Sequence, residues 1–73
     1  MKFPERVAYL RKKKGLTLEE LGKLANVSAQ SIFFYEAGKR TPFKNTQIQL
    51  ARVLGVKPAE LMADTDDERS IAE

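Results

Sequence analysis

Three glycines cut this chain into short pieces, and that punctuation limits its fold more than any other feature. Gly15, Gly38 and Gly55 each follow a segment with apolar residues at helical spacing, and each is followed by an apolar or basic residue. A glycine in such a place takes the left-handed conformation that commonly closes a helix. Alternating patterns of period two are absent, so the sequence predicts an all-α domain of five short helices. The first runs from about Pro4 to Lys14, with Phe3, Val7 and Leu10 at helical spacing and "RKKK" in its last turn, where cations complement the helix dipole. The second opens on "TLEE": Thr17 caps it, Glu20 reaches back, and Leu18, Leu21 and Leu24 make the inward stripe. Asn26, tolerant of the left-handed conformation, ends it. Ser28 caps a third helix that stops at Gly38. A fourth, roughly Asn45 to Leu54, packs Ile48, Leu50, Ala51 and Leu54. Pro58 starts a short fifth through Met62, with Val56 and Leu61 as its apolar contacts.

With 73 residues and 8.3 kDa the chain is one domain, near the lower size at which a hydrophobic core alone supports a fold. It is too small to enclose a large catalytic cleft. The absence of cysteine removes disulfides and thiolate metal sites, and the absence of histidine removes the commonest general base and metal ligand. No metal, cofactor or small-molecule ligand is expected. The adjacent carboxylates Glu19-Glu20 and Asp66-Asp67 fall on a helix start and in a polar tail, with no sign of a pocket to shift their pKa, so an enzyme is not expected. No apolar run is long enough for a membrane span or a signal peptide, and a chain without cysteines reads as cytoplasmic.

Charge is unevenly spread. Residues 1–57 carry twelve lysines or arginines against four acidic residues, whereas residues 58–73 carry one arginine against six acids. The folded part is the basic part, as expected of a polyanion-binding body, although a solvated charged surface gives the same count. Residues 1–63 are therefore expected to form the domain and residues 64–73 an acidic, flexible tail.

About three residues around Asn26 join the second and third helices, which forces a steep crossing, the geometry of a helix-turn-helix over about residues 17–37. A generic αα-hairpin has the same loop length. The segment "LTLEELGKLANVSAQSIFFYEAGKRTP" resembles the Cro/repressor type of helix-turn-helix, also called XRE-like, with "T..EL....VS...I...E.G...P" all in register. The closing "LARVLGVKPAELM" is similar to the fourth and fifth helices of that family, and the resemblance covers about Phe3 to Met62. It implies a lambda-repressor-like fold and a sequence-specific regulator of transcription. Such a protein binds double-stranded DNA, as a repressor acting as a homodimer on a two-fold-related operator.

On the third helix, with Ile32 inward, steps of about 100° place Ser28, Tyr35 and Glu36 near the core side and Gln30 and Phe34 on the opposite side. The resemblance implies that this outer stripe enters the major groove and that Ala29, Gln30 and Phe34 touch base edges. The chemistry suits the task, since glutamine bonds an adenine edge in two places while a methyl or phenyl group packs on a thymine methyl. Phe33 lies on the flank, and both rings have two readings, base contact or packing against the fourth helix or a partner subunit. Phosphate contacts are expected at the starts of the second and third helices, from Thr17, Ser28 and Ser31 with neighbouring backbone N–H groups, and from the cations Lys39, Arg40 and Lys44. Lys12 to Lys14 read as a solvated helix end, with phosphate contact as the second reading.

By the same resemblance Arg11 pairs with Glu36 across the edge of the core, a structural role. Three positions depart from the family pattern. Leu18 stands where a glutamine often contacts DNA, Gly22 replaces a small alanine inside the second helix, and Asn26 replaces a glycine. A dimer surface is expected at the fifth helix, with Leu61 and Met62. The competing reading is a protein-interaction module, such as the antitoxin of a toxin-antitoxin pair, using Phe33, Phe34 and Met62 as an apolar anchor.

Overall fold

The computed structural model describes residues 1–63; the acidic segment 64–73, and the flexibility expected of it, lie outside the described residues. The chain forms helices α1 (Phe3–Lys13), α2 (Leu18–Ala25), α3 (Ala29–Glu36), α4 (Lys44–Leu54) and α5 (Pro58–Met62), with no strand among the described residues. Their ends follow local chemistry. The Thr17 hydroxyl accepts from the Glu20 N–H at 3.0 Å, and the Glu20 carboxylate accepts from the Thr17 N–H at 2.9 Å, closing the reciprocal cap read from "TLEE". The Ser28 hydroxyl accepts from the Ser31 N–H at 3.0 Å and so satisfies one orphan donor of α3. Asn26 ends α2 at φ 63° and ψ 41°, the left-handed conformation that its short polar side chain tolerates.

Packing places α3 against α1 and α2, α4 against α2 and α5, and α5 against α1. The shared core consists of Phe3, Val7, Leu21, Ala25, Ile32, Tyr35, Leu50, Ala51, Leu54 and Leu61. Phe3 and Tyr35 meet at 6.3 Å between ring centres, tilted by 58°, and lock the start of α1 onto α3. One turn further along α1, the Arg6 guanidinium donates to the carbonyl of Leu61 at 3.0 Å, and also to the carbonyls of Ala63 and Met1. One side chain thereby ties the two ends of the described backbone together.

Two side chains expected inside lie outside. Leu24 is 58 % exposed and Ile48 is 38 % exposed. The inward arc of α2 carries Leu21, Ala25 and the buried Gly22, with Leu18 half-buried. At about 100° per residue that arc is centred roughly 110° from Leu24. Ile48 stands in the same relation to Leu50, Ala51 and Leu54 on α4. The expected dimer surface needs a related correction, because Leu61 is fully buried in the core and offers nothing to a partner. Met62, beside it, is half-buried.

Candidate nucleic-acid interface

The angle between α2 and α3 is set by a missing side chain. A Cβ built on Gly22 would lie 2.6 Å from the Val27 carbonyl oxygen, closer than side chains come, and 3.2 Å from the Ala29 nitrogen, a tight contact. The turn instead presses directly on the α2 backbone, and the Val27 N–H donates to the Gly22 carbonyl at 2.8 Å. Glycine inside a helix costs about 1 kcal/mol relative to alanine, so its presence here follows from the close crossing.

On its other side α3 is held by an ion pair. The Arg11 Nε lies 2.6 Å from one Glu36 oxygen and its Nη2 lies 3.0 Å from the other, a two-pronged contact with both side chains largely buried. The remaining prong, Nη1, donates to the Leu16 carbonyl at 2.8 Å. One guanidinium thus joins α1, the loop before α2 and the last turn of α3. The hydrogen bonds with Glu36 raise the Arg11 pKa above its ordinary value, burial opposes them, and the charge of Glu36 adds to the rise. Arg11 remains a cation wherever the fold survives.

Positioned in this way, α3 buries Ile32 and Tyr35 and turns Gln30 to solvent. No hydrogen bond holds the Gln30 amide among the described residues. Ala29 and Ser31 are half-buried beside it, and Ser28 and Thr17 are exposed at the two caps. The two helix starts differ electrostatically. Glu19 and Glu20 occupy the first turn of α2, whereas no acidic residue lies in the first turn of α3. The positive end of the α3 dipole is the one left unneutralised, which makes it the better anion site of the two.

Beyond α3 the chain reverses through Gly38, at φ 74°, to the buried Pro42, whose carbonyl accepts from the Gln47 amide at 2.9 Å. Lys39, Arg40 and Lys44 are all exposed on this connection or at the start of α4. The two phenylalanines divide differently from their helical angles. Phe33, on the flank, is 53 % exposed, while Phe34 is half-buried between the ring of Phe33, 5.8 Å away, and the guanidinium of Arg40, 4.9 Å away. Phe43, which the sequence reading passed over, is 88 % exposed next to Lys44. Its signal was available in "TPFK", a ring between a proline and a lysine with no assigned apolar partner.

A family model for helix-turn-helix domains matches residues 7–61. The HTH-type transcriptional regulator y4dJ of Sinorhizobium fredii is 42 % identical over 60 residues, covering 82 % of this chain and 78 % of that protein. Among solved structures, the P22 c2 repressor in complex with a synthetic operator superposes with a TM-score of 0.83 at 27 % identity, covering 85 % of this chain and 94 % of that one. The restriction-modification controller protein C.AhdI from Aeromonas hydrophila superposes with a TM-score of 0.77 at 32 % identity, covering 82 % and 91 %. The reciprocal cap at Thr17, the Asn26 turn, the outward Gln30 and the match over residues 7–61 converge: this chain belongs to the Cro/C1-type, XRE-like helix-turn-helix family of DNA-binding transcriptional regulators, and not to a family of enzymes.

Proposed function

We propose that this protein is a sequence-specific repressor that acts in the cytoplasm as a homodimer on a two-fold-related operator. The observation that carries the reading is the exposed Gln30 on an α3 fixed by Gly22 behind and by Arg11–Glu36 at its end. An outward glutamine with an uncommitted amide can take the N6 and N7 of an adenine, and Ala29 beside it suits a thymine methyl. Around it the α3 start, with Ser28 and Ser31, faces one phosphate, and Lys39 and Lys44 clamp others. Thr17 is the weaker phosphate contact, because Glu19 and Glu20 already sit at its helix start. Phe33, exposed on the flank of α3, meets a base or sugar at its edge.

One module of this size spans few base pairs, so a second copy supplies the remaining specificity, with half-sites about 34 Å apart or a multiple of that distance. The P22 c2 repressor is a structural neighbour seen on an operator, and that likeness supports the same mode of action here. Selection of bound duplexes from a random pool tests the whole reading. It should return a two-fold-symmetric site with an adenine in each half. A pool that stays unenriched at low salt, or a single asymmetric site bound by a monomer, overturns it.

A further inference from the structure

From the sequence alone Arg40 reads as one of three cations that clamp phosphates. Its guanidinium is held elsewhere. The guanidinium carbon lies 4.9 Å from the centre of the Phe34 ring, and Nη1 lies 3.5 Å from the Ser31 hydroxyl oxygen. Ser31 and Phe34 are three residues apart on α3, so one turn of helix presents a hydroxyl and a ring on neighbouring positions. The chain reversal after Gly38 brings Arg40 back onto both. Phe34, with Arg40 on it and Phe33 tilted 58° against it, has little free face for a thymine methyl. On that side of α3 the exposed Arg40 lies against Phe34, the residue one helical turn from Gln30.

We propose that Arg40 and Phe34 form one base-reading unit, in which the Arg40 guanidinium takes the O6 and N7 of a guanine in the major groove and Phe34 is its positioning residue. The inference rests on the DNA-binding reading above. A phosphate clamp draws most of its strength from charge, with several equivalent oxygens to meet, and so tolerates a mobile side chain. A two-pronged contact with a guanine edge gains from a guanidinium restrained before binding, which the ring of Phe34 and the Ser31 hydroxyl favour. Holding the arginine in place before binding also reduces the entropy lost when the complex forms. The guanine then lies beside the base met by Gln30.

The test is selection from a random duplex pool with the unaltered protein and with Arg40→Ala, Arg40→Lys and Phe34→Leu, followed by affinities for the selected site at several salt concentrations. A guanine next to the adenine of each half-site is expected with the unaltered protein. Arg40→Ala and Arg40→Lys should each lower the preference for that guanine by about tenfold while the adenine stays required. Phe34→Leu, which keeps the arginine but removes its ring, should weaken the same guanine preference and no other. Arg40 is exposed, so its two variants answer the question even if Phe34→Leu folds poorly. The inference is overturned if Arg40→Ala weakens all duplexes alike and lowers the salt slope by about one while Arg40→Lys restores both, the behaviour of a phosphate contact. Failure of the DNA-binding reading looks different, as a pool left unenriched by the unaltered protein, and takes this inference with it.

Discussion

Replacing Gly22 by alanine sets two effects against each other. Helix propensity favours alanine by about 1 kcal/mol, but the new methyl would lie 2.6 Å from the Val27 oxygen. The obstacle is backbone, which cannot swing aside as a flexible side chain does. Gly22→Ala is therefore expected to destabilise the domain by about 1 to 3 kcal/mol in urea unfolding, and a stabilised variant would show that the turn can open. Leu24 gives the contrasting case: Leu24→Ala should change stability by less than about 0.5 kcal/mol, whereas Leu21→Ala should cost about 2 to 5 kcal/mol. If Gln30 reads a base as proposed, Gln30→Ala should cost about 1 to 3 kcal/mol in operator affinity and relax the preference at one base position. A variant that keeps that preference would remove Gln30 from base contact. Residues such as Gln30, whose orientation depends only on the helical angle from Ile32, were legible in the sequence. Phe34 was less so, because its exposure depends on an arginine six residues further on.

Helix ends were the most legible elements, because each rests on residues within four positions of one another. Thr17 with Glu20, Asn26, and Ser28 with Ser31 all lie within such a span, and the structure has each where the sequence placed it. Which face an element buries depends on what crosses it, and that is not local. The inward arc of α2 is shifted towards Gly22 and Ala25, and the shift leaves Leu24 outside. The attachment of α3 to α1 is likewise long-range. Arg11→Ala strands Glu36 in a largely buried place and should cost about 3 kcal/mol, measured by thermal or urea unfolding. Replacing both partners by apolar residues of similar size should recover much of that loss; if the double variant is as unstable as the single one, the pair supplies more than charge compensation.

For the whole molecule, a surplus of positive charge in residues 1–57 and an unneutralised α3 start together call for binding that weakens steeply with salt. Lys39→Ala and Lys44→Ala should each lower the slope of log affinity against log salt by about one, leaving base preferences as they were. A loss confined to one operator sequence would contradict the phosphate assignment. The Arg6 side chain adds a property of a different kind. Its one guanidinium meets the carbonyls of Met1, Leu61 and Ala63, so residues 1 and 63 of the described backbone lie close together. A stretch whose two ends are pinned side by side can be spliced into a larger protein without prising its host apart, as one bead threaded by both of its openings.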